Sequence, residues 1–150
     1  MKTILISLLL LPLITLADNL NLLCKGEEIK YLEEDPSLKR VTTKVIGIQI
    51  HQEGMRLDGK WFDNKSDLTE DYLLERSYVK SKENIMGTRN FSTNALIEDR
   101  EIQTVKVDSV KINFITNDIF WTYEFNRVDK TNAEANTIYA FRKNFEGTCK

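Results

Sequence analysis

The sequence predicts an all-β domain: an antiparallel barrel or sandwich of about seven to nine strands, closed or nearly closed, with its termini linked by a disulfide. Three observations carry this. From Asp18 onward the chain holds 11 Ile, 7 Val and 11 Thr against four Ala, and β-branched side chains suit a pleated surface better than a helix. Apolar residues alternate with polar ones along several short segments, the period of a half-buried strand. The two cysteines, Cys24 and Cys149, stand near opposite ends of the chain.

Taken in order, residues 1–17 read as a secretory signal peptide. Lys2 gives a positive start, Ile4 to Leu16 is an apolar run, and Thr15 and Ala17 have the small-residue spacing of a cleavage site. The run is about 13 residues, too short to span roughly 30 Å of hydrocarbon as a helix. No second apolar stretch of spanning length follows, so no membrane span is expected in the mature chain. Cleavage after Ala17 leaves residues 18–150 as one β domain of 150 − 17 = 133 residues. Its 20 basic and 23 acidic residues are interspersed, a net charge of −3. A basic stripe of the kind nucleic acid requires is missing. An exported chain meets an oxidising compartment, periplasmic or extracellular, where an even cysteine count argues for a Cys24–Cys149 bridge.

The first strand is expected where Leu20, Leu22 and Cys24 alternate, and another where Ile46, Ile48 and Ile50 do. Asp58-Gly59, between "MRL" and "KWF", is a strong hairpin signal. Asp67 with Glu70 resembles a helix capping box, which predicts a short helical turn near residues 66–71 before the strand "YLLERSYVK". "NIMGTRNF" follows a polar turn at Lys82 to Asn84. Val105 and Val107 keep the opposite phase to Val110, which predicts a tight turn or bulge at Asp108-Ser109. Val110, Ile112 and Phe114 then form a hairpin across Thr116–Asp118 with the clearest strand of the chain. In that strand Ile119, Trp121, Tyr123 and Phe125 share the core face, while Phe120, Thr122, Glu124 and Asn126 face away. A long polar loop, "RVDKTNAEANT", precedes a last strand with Tyr139, Phe141 and Phe145 on one face. Cys149 then fastens the last strand to the first.

Residues for catalysis are scarce. His51 is the single histidine, so triad chemistry would have to use it. Its phase, opposite to Ile50, points it to the outer face. His51 and Glu53 share a strand face but supply only two metal ligands. The runs Glu27-Glu28, Glu33-Glu34-Asp35 and Glu98-Asp99 read as solvated loops, since adjacent strand residues point to opposite faces. There is no G-x-S-x-G, P-loop, G-x-G-x-x-G, EF-hand or C-x-x-C motif. Neither catalytic nor metal-ligating residues are assigned, and no cofactor is expected. Asn64-Lys65-Ser66 and Asn90-Phe91-Ser92 are sequons that matter only in a glycosylating secretory pathway.

Two resemblances bear on function. "GKW" (Gly59 to Trp61) is similar to the G-x-W of lipocalins, which implies a barrel carrying a small apolar ligand. "LLCKG", "YEFNRVDK" and the closing "FEGTCK" together resemble a set of small exported bacterial proteins of mostly unassigned function, with an N-terminal C-x-G and a C-terminal G-x-C. Lys130 stands where that pattern commonly has glycine. These motifs imply a bridged β domain and no reaction. The expected function is a non-enzymatic exported protein, inhibitor- or immunity-like, that binds another protein. The alternative is a lipocalin-like carrier of a small apolar ligand. A carrier requires an apolar cavity, a protein binder an exposed patch over a filled core. An enzyme using carboxylates from separate strands is a third class, and it requires two acids facing one another in a cleft.

Overall fold

A computed structural model of the chain describes residues 19–32, 35–131 and 135–150. The expected signal peptide and its cleavage site, Glu33, Glu34 and residues 132–134 of the expected polar loop lie outside the described residues. Ten strands follow in order: β1 Leu20–Leu32, β2 Asp35–Ile50, β3 Gly54–Leu57, β4 Lys60–Asp63, β5 Ser66–Leu68, β6 Tyr72–Lys80, β7 Asn84–Ile97, β8 Arg100–Asn113, β9 Asp118–Asp129 and β10 Asn136–Cys149. The count is higher than the sequence suggests because two very short strands, β4 and β5, stand where one strand and a helical turn were expected.

All ten belong to one antiparallel sheet in the order β4-β3-β2-β1-β10-β9-β8-β7-β6-β5. Neighbours in sequence are neighbours in the sheet except at β4–β5, and the first strand pairs with the last. In the β1–β10 ladder Cys24 lies opposite Cys149. The two are disulfide-bonded, with Cα atoms 3.9 Å apart. Beside them Gly26 faces Gly147. A Cβ on Gly26 would lie 2.0 Å from the Glu146 carbonyl oxygen, so the close approach of these strands requires glycine.

The ladder itself does not close, and the sheet is a curled half-barrel. Its two edges are brought together by the link between them. Asn64 Oδ1 accepts the Tyr78 N–H at 2.7 Å, and the Lys65 carbonyl accepts the Arg76 N–H at 2.9 Å. Phe62 then packs on Gly87, where an added Cβ would meet Phe62 Cβ at 3.0 Å and Met55 Cε at 3.1 Å. Because β3 and β4 have four residues each and β1, β2, β7, β8 and β10 have 13 to 16, only one end is ringed on every side. The other end opens along the first half of β2, which pairs with β1 on one edge while β3 reaches its other edge only at Ile48–Ile50.

The core fills the ringed end. Ile46, Ile48, Ile50, Met55, Leu57, Phe62, Ile85, Val110, Ile112, Ile119, Trp121 and Phe145 are all buried there. Trp121 is 1% exposed and Phe120 50%, as strand alternation demands. Three local expectations need correction. No helical turn forms at 66–71: Ser66–Leu68 is β5, Asp67 Oδ2 takes the Arg76 guanidinium at 3.0 Å, and the Thr69 hydroxyl accepts the Asp71 and Tyr72 N–H groups. The β8–β9 link is Phe114 to Asn117, with Asn113 Oδ1 accepting the Ile115 N–H at 2.8 Å. Finally, β8 has no turn or bulge at Asp108-Ser109, since its pairing with β7 and β9 runs through unshifted. Asp108 takes an inward position at 4% exposure. A buried carboxylate, not a change of register, breaks the apolar pattern.

Candidate functional site

Above the apolar core the inner face carries a layer of buried charge. Glu28, Asp63 and Asp108 are each under 5% exposed, and each meets cations from other strands. Lys60 on β4 donates to both Asp108 oxygens at 2.9 Å, and Trp121 Nε1–H donates to Asp108 Oδ1 at 3.1 Å. Glu28 on β1 is reached by Lys30 at 2.9 Å, Lys44 at 3.3 Å and Lys143 at 3.5 Å. Arg76 Nε lies 2.9 Å from Asp63 Oδ1. Glu28, expected in a solvated loop, is thus a buried inner-face residue, while Glu27 beside it is exposed. Buried acids need such partners, since desolvating an unpaired charge is costly.

The rings of β9 sit among these cations. Lys143 Nζ lies 4.2 Å from the Trp121 ring centre and Lys60 Nζ 4.4 Å from that of Tyr123, distances at which the ring quadrupole attracts a cation. Burial pushes the Lys143 ammonium below its usual range, and Lys44 and Lys60 add to this against the attraction of Glu28 and Asp58. Burial raises the Tyr123 hydroxyl, helped by the charge of Asp108. Burial alone would raise Glu28, but the Lys30 hydrogen bond and the Lys143 and Lys44 charges outweigh it and hold the carboxyl below its ordinary value.

Toward the open end the face becomes a cleft of aromatic pairs. Tyr123 meets Phe141 edge-on at 6.2 Å, Phe125 meets Tyr139 at 5.7 Å, and Tyr72 meets Phe91 at 5.7 Å. Between β6, β7, β8 and β9 a pocket of about 250 Å³ is lined by Lys60, Leu74, Arg89, Phe91, Lys106, Asp108 and Tyr123. Lys60 is neutralised by Asp108. Arg89 and Lys106 have no carboxylate within ion-pair distance among the described residues. Lys106 Nζ instead lies 5.1 Å from the Phe91 ring and 5.8 Å from that of Phe125. On the convex side two broader grooves, about 590 and 610 Å³, flank the exposed Leu23.

The residues singled out from sequence are scattered. His51 lies just past β2, half-buried, with Nδ1 2.9 Å from Asn19 Oδ1 and its ring 5.2 Å from that of Trp61. Its carbonyl accepts the Tyr78 hydroxyl at 3.0 Å. It belongs to a local packing cluster, not to an exposed strand face as expected. Trp61 lies on β4 opposite Arg56. Glu98-Asp99 is the β7–β8 turn, both residues at positive φ. Among the described residues no group of three or more His, Cys, Asp or Glu is placed to hold a metal ion, and no helix is long and apolar enough to cross a membrane. The cleft residues Lys60, Leu74, Arg89, Lys106 and Asp108 were not singled out by motif. Their only sequence signal was phase: Arg89 follows Ile85 and Gly87, and Lys106 and Asp108 precede Val110 and Ile112, at even spacing. Comparison of the chain with protein-family models, with curated proteins and with solved structures finds no match.

Proposed function

We propose that this chain is an exported, non-enzymatic binding protein that holds a protein partner on the concave face at the open end of the half-barrel. The observation that carries this reading is the contrast between the two ends. The ringed end is packed with Trp121, Phe62 and Phe145. The open end presents half-buried rings of Tyr123, Phe125, Phe141 and Phe91 beside cations. Aromatic residues and arginine at a concavity are the usual anchors of protein interfaces. Tyr72 at 37% and Tyr139 at 41% exposure, whose rings meet Phe91 and Phe125, extend the surface. The carrier alternative requires an apolar cavity inside the sheet, whereas the inward pocket described above is charged.

The test is capture of a partner from the exporting cell's own periplasm or culture fluid by the tagged protein. Phe125→Glu and Arg127→Glu, both on the concave face, are expected to abolish capture. Val45→Glu, on the convex face and 59% exposed in the parent, is expected to retain it. Loss only with Val45→Glu moves the partner to the convex grooves. A small apolar adduct in the native mass of the purified protein, with no protein captured, favours the carrier.

A further inference from the structure

We infer that the pocket between β7, β8 and β9 is a carboxylate site that takes one acidic group on a short apolar stem. The inference rests on the reading of the concave face as a binding surface. The charge balance leads to it. Lys60, Arg89 and Lys106 line the pocket with one carboxylate, Asp108, a net of 3 − 1 = +2. Asp108 stands opposite Arg89 in the β7–β8 ladder but is held by Lys60 and Trp121, and it makes no ion pair with Arg89 or Lys106 among the described residues.

Arg89 is distinctive among the inner guanidinium groups. Arg76, its neighbour across the β6–β7 ladder, has a carboxylate oxygen 2.9 Å from its Nε. Arg89 Nε is buried with neither a hydrogen-bond partner nor, among the described residues, a carboxylate within ion-pair distance, its guanidinium carbon 6.0 Å from the Phe62 ring centre. A buried, unsatisfied, charged donor is costly, and native proteins seldom keep one without use. Its fork matches a carboxylate geometrically, and Lys106 adds a second charge from the next strand. Walls of low dielectric strengthen both attractions. Leu74 and Phe91 give the pocket an apolar side, which suits methylenes behind the charged head. About 250 Å³ is below the range of drug-sized ligand sites. One side-chain-sized acid fits it: a glutamate presented by a partner's segment, or a free small dicarboxylate.

Titration of the purified protein at low ionic strength, followed by amide chemical shifts, separates these sources. The probes are glutarate and a glutamate-rich peptide. The expected result is saturable shifts around residues 87–91, 104–108 and 121–125 with at least one probe. The probe that binds tighter identifies the source. Arg89→Gln with Lys106→Gln should weaken binding by about tenfold or more. Lys106→Gln alone should also weaken it, which keeps the test decisive if replacing Arg89 disturbs packing on Phe62. Lys111→Gln, a cation on the outer face of the same strand, should change nothing. If neither probe binds, or if binding ignores Lys106→Gln, the carboxylate site is refuted. Should partner capture still follow Phe125→Glu in that case, the concave-face reading stands without it.

Discussion

Asp108→Ala is the sharpest probe of the charged layer. The substitution removes a carboxylate that is 4% exposed and accepts three hydrogen bonds from two donors: Lys60 Nζ on both oxygens at 2.9 Å, and Trp121 Nε1–H at 3.1 Å. The Trp121 indole, 1% exposed, would keep an N–H with no acceptor, which costs about 1–3 kcal/mol. The Lys60 ammonium would lose its counter-charge. Its side chain is 29% exposed, so it can turn partly to water and forfeits less than a fully buried cation. Together these place the loss at about 3 kcal/mol, the lower end of the range for halving a buried ion pair. Adding Trp121→Phe removes the stranded donor and keeps most of the ring, so the double variant should fall short of the sum of its singles by about 1 kcal/mol or more. Urea unfolding followed by far-ultraviolet circular dichroism reads this as midpoint shifts at constant slope. An Asp108→Ala variant within about 0.5 kcal/mol of the parent, or strict additivity with Trp121→Phe, would refute the reasoning.

Trp121→Ala should cost about 3–5 kcal/mol, the usual range for emptying a buried aromatic site. Glu124→Ala, outward on the same strand and paired to Arg142 at 3.1 Å with both side chains over a third exposed, should cost less than about 1 kcal/mol; the same unfolding assay measures both. Gly26→Ala forces a Cβ against the Glu146 carbonyl and should cost about 1–3 kcal/mol or more, read as a lowered melting temperature. Glu28 ionises more readily folded than unfolded, so its stabilisation is fully present well above the ordinary value of 4.5 and is lost as pH falls through the lower folded value. Glu28→Gln should therefore flatten the acid limb of a stability–pH curve; an unchanged limb places the acid sensitivity on other carboxylates.

The fold was legible where side chains follow a single rule. Ile46, Ile48 and Ile50, and Ile119 and Trp121, alternate without exception and are buried as the period requires. The pairing of first and last strands followed from two cysteines in an even count, and the turn at Asp58-Gly59 from residues that tolerate positive φ. Inner-face charge was the illegible part. Asp108, Lys106 and Glu28 occupy inward positions that patterning assigns to apolar residues, so Val105 and Val107 looked like the inner face and Glu28 like a loop. Apart from Lys30, two residues from Glu28, the cations that pair the two acids come from β2, β4 and β10, far away in sequence, and local periodicity carries no trace of them. The capping box at Asp67 failed for the same reason. Its carboxylate pairs with Arg76 across a ladder that only the folded sheet creates.

Site-specific photo-crosslinking in the native host cell tests the central claim most directly. Phe125 on the concave face and Phe120 on the convex face lie on one strand, five residues apart, and each can be replaced by a photoreactive phenylalanine of similar shape. The account predicts a covalent partner adduct from position 125 and none from position 120. An adduct from position 120 alone, or from neither, would contradict it.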